Sequence, residues 1–255
     1  MNKIDILLKS KKENILSIYF IAGFPELKST VEIIHELEKN KVDIIEIGIP
    51  FSDPIADGQV IQFSNNTAIE NGMTLEILFS QLKDIASFSR IPKILMGYFN
   101  PVFKFGVERF CEKCREVGID GVIIPDLPVY EFENQYKSIF QKYGIHTIFL
   151  VSPQTAVERL KSIDELTTSF IYAVSTNSTT GGITDFDAQK EYFTRLKALS
   201  KRPFLIGFGV RDKRSFDKAC EYANGAIIGS AFINALSQTG DLKKNISEFI
   251  YQIKL

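Results

Sequence analysis

The apolar positions of the chain gather into eight short, almost continuous runs, at residues 16–22, 43–48, 93–96, 121–124, 147–151, 170–174, 204–206 and 226–228. Runs of this length, rich in Ile, Val and Phe, predict strands buried on both faces, as in a parallel sheet. Between them lie stretches with apolar residues three and four apart, at 27–39, 74–87, 105–117, 129–142, 188–199 and 211–222. That period predicts amphipathic helices. Residues 1–13 mix charges into apolar positions and predict a short extra helix ahead of the first strand. Strand and helix alternate with no Ser/Gly linker, which predicts an α/β architecture with a parallel sheet. Eight such units predict a (β/α)8 TIM barrel spanning 1–255 as a single domain; a doubly wound open sheet is the alternative.

In a barrel the chemistry lies at the C-terminal ends of the strands. The second strand carries one carboxylate, Glu46, in the run Ile44-Ile45-Glu46-Ile47-Gly48. Side chains alternate along a strand, so Ile44, Glu46 and Gly48 share one face, and Ile45 and Ile47 the other. Burying an ionised carboxylate is costly unless it is paired or protonated. Desolvation favours the proton-carrying form, which makes Glu46 a candidate general acid. The Pro-, Gly- and Asp-rich turn that follows can bring Asp57 over the strand end. A plainer reading pairs Glu46 with a Lys or Arg and leaves Asp53 and Asp57 as turn caps.

Gly207-Phe208-Gly209 follows the seventh strand, and Gly229-Ser230 the eighth. Barrels often bind phosphate there, against a short extra helix. Gly209, Gly229 and Ser230 can offer close backbone approach and helix N-terminal donors; plain turn glycines are the alternative. The small, polar loop 175–185 has the composition of a mobile lid, which ordinary loops share. Tyr98 and Tyr172 fall near strand ends. Tyr19, Ile123, Leu150 and Phe208 either line an apolar pocket for a flat ring or fill the barrel.

Composition narrows the field. A net charge of -1 gives no electrostatic reason to expect a nucleic-acid partner. No apolar run approaches the roughly 20 residues needed to span a bilayer. Cys111 and Cys114 have a Cys-x-x-Cys spacing, but they fall on a predicted helix, no second cysteine pair exists, and His35 and His146 lie in ordinary segments. Neither a metal centre nor a redox role is expected of them. Reduced thiols and the absence of an export signal point to the cytoplasm.

The segment Ile45-Glu46-Ile47-Gly48-Ile49-Pro50-Phe51-Ser52-Asp53-Pro54-Ile55-Ala56-Asp57-Gly58 resembles the signature of the tryptophan synthase α-subunit family. The resemblance continues through Tyr98-Phe99-Asn100-Pro101, Pro125-Asp126-Leu127-Pro128, Thr180-Gly181, Gly207-Phe208-Gly209-Val210 and Gly225 to Ala231, and covers essentially the whole chain. It implies a TIM-barrel catalytic domain, a lyase of tryptophan biosynthesis, that splits indole-3-glycerol phosphate into indole and glyceraldehyde 3-phosphate without a cofactor. It implies Glu46 as catalytic acid/base, Asp57 as catalytic aspartate and Tyr172 as a pocket tyrosine beside the chemistry. Gly181, Gly209, Gly229 and Ser230 match the family's phosphate site, with Thr180 beside Gly181. Tyr19, Tyr98, Ile123 and Leu150 match substrate-pocket positions, and Phe208 lies among them. The implied partner is a pyridoxal-phosphate β subunit in an α2β2 assembly, docked on Asp53, Pro54, Asn100, Pro101, Asp126 and Pro128. One departure is that Ser178-Thr179-Thr180-Gly181 stands where the family usually carries Gly-Val-Thr-Gly. Other phosphate-binding barrels, such as sugar-phosphate epimerases or thiamin phosphate synthase, lack the segment from Glu46 to Asp57. A non-catalytic regulatory subunit would have no need of both carboxylates.

Overall fold

The computed structural model describes residues 2–54, 57–175 and 185–255. Among the described residues there are nine strands, with helices between all but β5 and β6: β1 (Ile15–Ile21), β2 (Ile44–Gly48), β3 (Lys93–Met96), β4 (Gly121–Ile123), β5 (His146–Thr147), β6 (Leu150–Val151), β7 (Ile171–Val174), β8 (Phe204–Gly207) and β9 (Gly225–Ile228). Each hydrogen-bonded neighbour is parallel, in the order β5-β4-β3-β2-β1-β9-β8-β7-β6. The two end strands of that order are consecutive in the chain. Ile148 N–H donates to the Val122 carbonyl at 3.0 Å, and Tyr172 N–H to the Phe149 carbonyl at 3.0 Å. The fifth predicted strand, 147–151, is therefore one extended segment in two paired pieces, turning from β4 to β7 at residues 148–149. That step closes the sheet into the expected (β/α)8 barrel and excludes the open-sheet alternative.

Two apolar layers follow from strand alternation. Ile15, Ile44, Ile94, Ile123, Ile148, Phe170, Tyr172, Leu205 and Ile227 pack inside the barrel. The alternate residues, such as Ile18, Ile45, Ile47, Leu95 and Ile206, pack outward against the helices. The helix Ser29–Lys39, for example, turns Ile33, Ile34 and Leu37 to the sheet. The helix Lys3–Ser10 is capped by the Asn2 side chain, which accepts from Ile4 N–H at 2.9 Å. It sets Ile4 into the inner layer, fully buried, at the N-terminal end of the strands. The chemistry is left to the other end.

Two helical predictions change. The stretch 105–117 breaks at Gly106, which has φ 93°, between helices Phe99–Phe105 and Val107–Glu116. Cys111 and Cys114 are buried on the second of these as free thiols, in its apolar face. The long segment 50–72 after the second strand, for which no helix is predicted from the sequence, contains the helix Gln59–Glu70. Its buried face is Ile61, Ser64, Asn65 and Ala68, polar enough to weaken the apolar signal. Among the described residues, no helix is long and apolar enough to cross a membrane.

Candidate active site

β1 and β2 bring the first carboxylate into the barrel. Tyr19 and Glu46 are register partners. Ser17, two residues before Tyr19 on the same face, donates from Oγ to Glu46 Oε1 at 2.7 Å. Glu46 is fully buried, and its Oε2 has no hydrogen-bond partner among the described residues. Burial pushes its carboxyl up to about 7, against a smaller lowering by the Ser17 hydrogen bond. A group half-protonated near neutrality can both give and take a proton. No lysine or arginine pairs with it among the described residues, so the plainer ion-pair reading does not hold.

The second carboxylate arrives from the loop after β2. Asp57 lies just before the helix Gln59–Glu70, and its carbonyl accepts from Gln62 Nε2 at 2.8 Å. The Tyr98 hydroxyl donates to Asp57 Oδ2 at 3.3 Å. Burial raises the Asp57 carboxyl to about 6, and the Tyr98 bond opposes this. Near the start of that loop, the Phe51 ring stacks on Tyr98 with centroids 4.8 Å apart. Phe51 N–H also donates to the buried Asn65 Oδ1 at 3.1 Å.

Tyr19 and Tyr172 project across the strand ends because two glycines leave them room. A Cβ on Gly48 would collide with the Tyr19 hydroxyl, and one on Gly207 with the Tyr172 ring. Both phenols titrate well above their ordinary range, first from burial and then from the nearby Glu46 and Asp57 charges. Neither is ionised at neutral pH, so each is available as a hydrogen-bond donor.

A cavity of about 260 Å³ opens above these groups, lined by Tyr19, Asp57, Met96, Tyr172, Phe208, Gly209, Arg211, Gly229 and Ser230 among others. A smaller space of about 50 Å³ shares Tyr19, Asp57, Met96 and Phe208 with it and adds Tyr98, Pro125 and Leu150. The cleft thus has an apolar and aromatic side and a glycine-rich end. At that end Phe208 and Gly209 take φ of 73° and 77°. Gly229 caps the helix Ser230–Leu236, whose first N–H groups have no partner within the helix.

Most predicted site residues meet here. Tyr19, Asp57, Tyr98, Leu150, Tyr172, Phe208, Gly209, Gly229 and Ser230 all line the cleft. Glu46 and Ile123 lie in the barrel interior, fully buried, and are not among the lining residues. Thr180 and Gly181, with the Ser178-Thr179 departure and nearly all of the expected lid, lie outside the described residues. Ser17, Ile61, Met96, Arg211, Ile227 and Asn234 were not singled out from the sequence. Alternation along Ile15–Ile21 puts Ser17 on the face of Tyr19, but that alone does not tie its hydroxyl to Glu46.

Comparison with known proteins decides among barrels that share such a cleft. The family model for "Tryptophan synthase alpha chain" matches residues 6–254. The chain belongs to the tryptophan synthase alpha chain family. A family relative from Flavobacterium johnsoniae is 53% identical over 256 residues, covering 100% of both chains. Among solved structures, the tryptophan synthase alpha subunit from Legionella pneumophila superposes with a TM-score of 0.92 at 32% identity, covering 100% of this chain and 97% of that one. A chain of a tryptophan synthase complex from Pyrococcus furiosus gives 0.85 at 32% identity, covering 96% and 99%.

Proposed function

We propose that Glu46 and Asp57 divide the work of one retro-aldol cleavage at the mouth of this barrel. The chain acts as a tryptophan synthase alpha chain: it is a lyase of tryptophan biosynthesis that splits indole-3-glycerol phosphate into indole and glyceraldehyde 3-phosphate. The observation that carries the role of Glu46 is its carboxyl, buried in the barrel, held at Oε1 by Ser17 and, among the described residues, unpartnered at Oε2. Protonated Glu46 gives its proton to C3 of the indole ring, and the ring becomes an indolenine cation. The resulting carboxylate takes the proton from the hydroxyl on the adjoining side-chain carbon. The carbon–carbon bond then breaks, its electron pair returns to the ring, the hydroxyl carbon becomes the aldehyde, and Glu46 is protonated again. The ring itself is the electron sink, so the step requires neither metal nor cofactor.

Asp57 remains ionised and accepts from the indole N–H, stabilising the cation. Two carboxylates in unlike surroundings thereby take unlike roles. Tyr172 donates a hydrogen bond beside the reacting carbons. Tyr19, Tyr98, Ile123, Leu150 and Phe208 shape the place of the flat ring. The phosphate sits on the N–H groups of Gly209, Gly229 and Ser230, with Thr180 and Gly181 completing that end. Its binding energy orients the ring over Glu46.

Residues 1–255 form one catalytic domain, placed in the cytoplasm. The partner is a pyridoxal-phosphate β subunit in an α2β2 assembly. Asp53, Asn100, Asp126 and Pro128 are exposed and suit the docking face, whereas Pro54 is buried and Pro101 half-buried. The exposed aromatics Phe103 and Tyr130 lie beside them in sequence and extend that face. Docking orders the loop carrying Asp57 together with the lid, and so accelerates cleavage. The direct test is to supply indole-3-glycerol phosphate and measure both products. Indole and glyceraldehyde 3-phosphate in equal amounts support the assignment, and binding of the substrate without turnover would favour a regulatory subunit.

A further inference from the structure

The phosphate end of the cleft contains a backbone strain with a dedicated support. Phe208 is a bulky, non-glycine residue at φ 73°, a region that L-residues other than Gly, Asn and Asp seldom occupy. Such conformations persist where the surroundings hold them. Here the support is Ser175, fully buried at the exit of β7. Its N–H donates to the Gly207 carbonyl at 3.2 Å, and its Oγ to the Phe208 carbonyl at 2.6 Å. The Phe208 ring meets Tyr172 edge to face, with centroids 6.2 Å apart.

The Phe208 carbonyl and the Gly209 N–H belong to one peptide unit. That unit is planar and trans, so its N–H points opposite to its carbonyl. A hydroxyl holding the carbonyl on one side therefore fixes the direction of the N–H on the other. We infer that Ser175 is a positioning residue for the phosphate end of the site: through the Phe208 carbonyl it aims the Gly209 N–H at the substrate's phosphate. This rests on the reading of Gly209 as a phosphate donor given above.

Two variants test it. Ser175→Ala removes the hydroxyl, and Ser175→Cys keeps a weak donor of similar size should the alanine variant fold poorly. For each, KM and kcat for indole-3-glycerol phosphate are measured, with competitive inhibition by inorganic phosphate and binding of free indole. In Ser175→Ala, KM and the phosphate inhibition constant rise together by roughly five- to tenfold, the usual scale for one hydrogen bond. The cysteine variant falls between, while kcat stays within about twofold and indole binds as in the wild type. Unchanged phosphate inhibition in both variants overturns the role of Ser175. Equal weakening of phosphate and indole also overturns it, because that marks general loosening of the barrel mouth. If inorganic phosphate fails to compete even in the wild type, the phosphate reading of Gly209 falls first, and this inference with it.

Discussion

Replacing Glu46 by Gln should make the protein more stable in alkaline solution while making it inactive. The carboxyl is fully buried and raised from 4.5 to about 7. Between those values the folded state binds a proton that the unfolded chain has released. An acid with a raised folded-state value contributes stability below about 4.5 and loses it as pH climbs through 7. The full difference is roughly two and a half decades at about 1.4 kcal/mol each, or on the order of 3 kcal/mol. Glutamine has the same shape, carries no charge and can still meet the Ser17 hydroxyl. Urea unfolding of wild type and Glu46→Gln at pH 5 and pH 8.5 gives the contrast. The variant should gain about 2 to 3 kcal/mol on the wild type between those conditions. A stability difference that is the same at both values would show that Glu46 titrates normally. The case for a poised acid would then be lost.

Other expectations follow from the same geometry. The pH profile of kcat/KM should be bell-shaped, since Glu46 must be protonated and Asp57 ionised, with limbs set by values of about 7 and about 6. Ser17→Ala removes a bond that lowers the Glu46 carboxyl, so its alkaline limb should move upward; no movement or a downward one contradicts the assignment. Gly229→Asp puts a negative charge at the glycine-rich end, and KM should rise by roughly tenfold or more through repulsion of the phosphate. An unchanged KM would place the phosphate elsewhere. Adding saturating β subunit should accelerate indole release by ordering the loops at the cleft, and an unaffected rate would remove the activation claim even if the two proteins bind.

The strands were legible because each is buried on both faces, which leaves nearly pure apolar runs. The split of the fifth was not, since 147–151 is one apolar run and the change of partner at residues 148–149 is imposed by closing the ring. The helix Gln59–Glu70 was missed because its buried face includes Ser64 and Asn65. Gly106 was the available signal for the break before Val107–Glu116. In the site, Glu46 announced itself as a charge among isoleucines. Its partner Ser17 did not, because a small hydroxyl is common in strands and gains meaning only beside the carboxylate it bonds. Phe208 read as pocket lining, but its left-handed backbone and its tie to Ser175 depend on two strand ends that meet only in the closed barrel. Arg211 had a simple cue, a cation two residues beyond Gly209.

The central claim is that a buried Glu46 carries the proton in both directions during carbon–carbon cleavage. The measurement closest to it is steady-state indole release from indole-3-glycerol phosphate by purified wild type and Glu46→Gln, with inorganic phosphate inhibition measured on both as a check of the intact cleft. The account predicts that the variant binds phosphate like the wild type and loses nearly all turnover, a hundredfold or more by the usual scale of acid–base catalysis, roughly 10² to 10⁴. Indole release above about a tenth of the wild-type rate, well short of that scale, would contradict it.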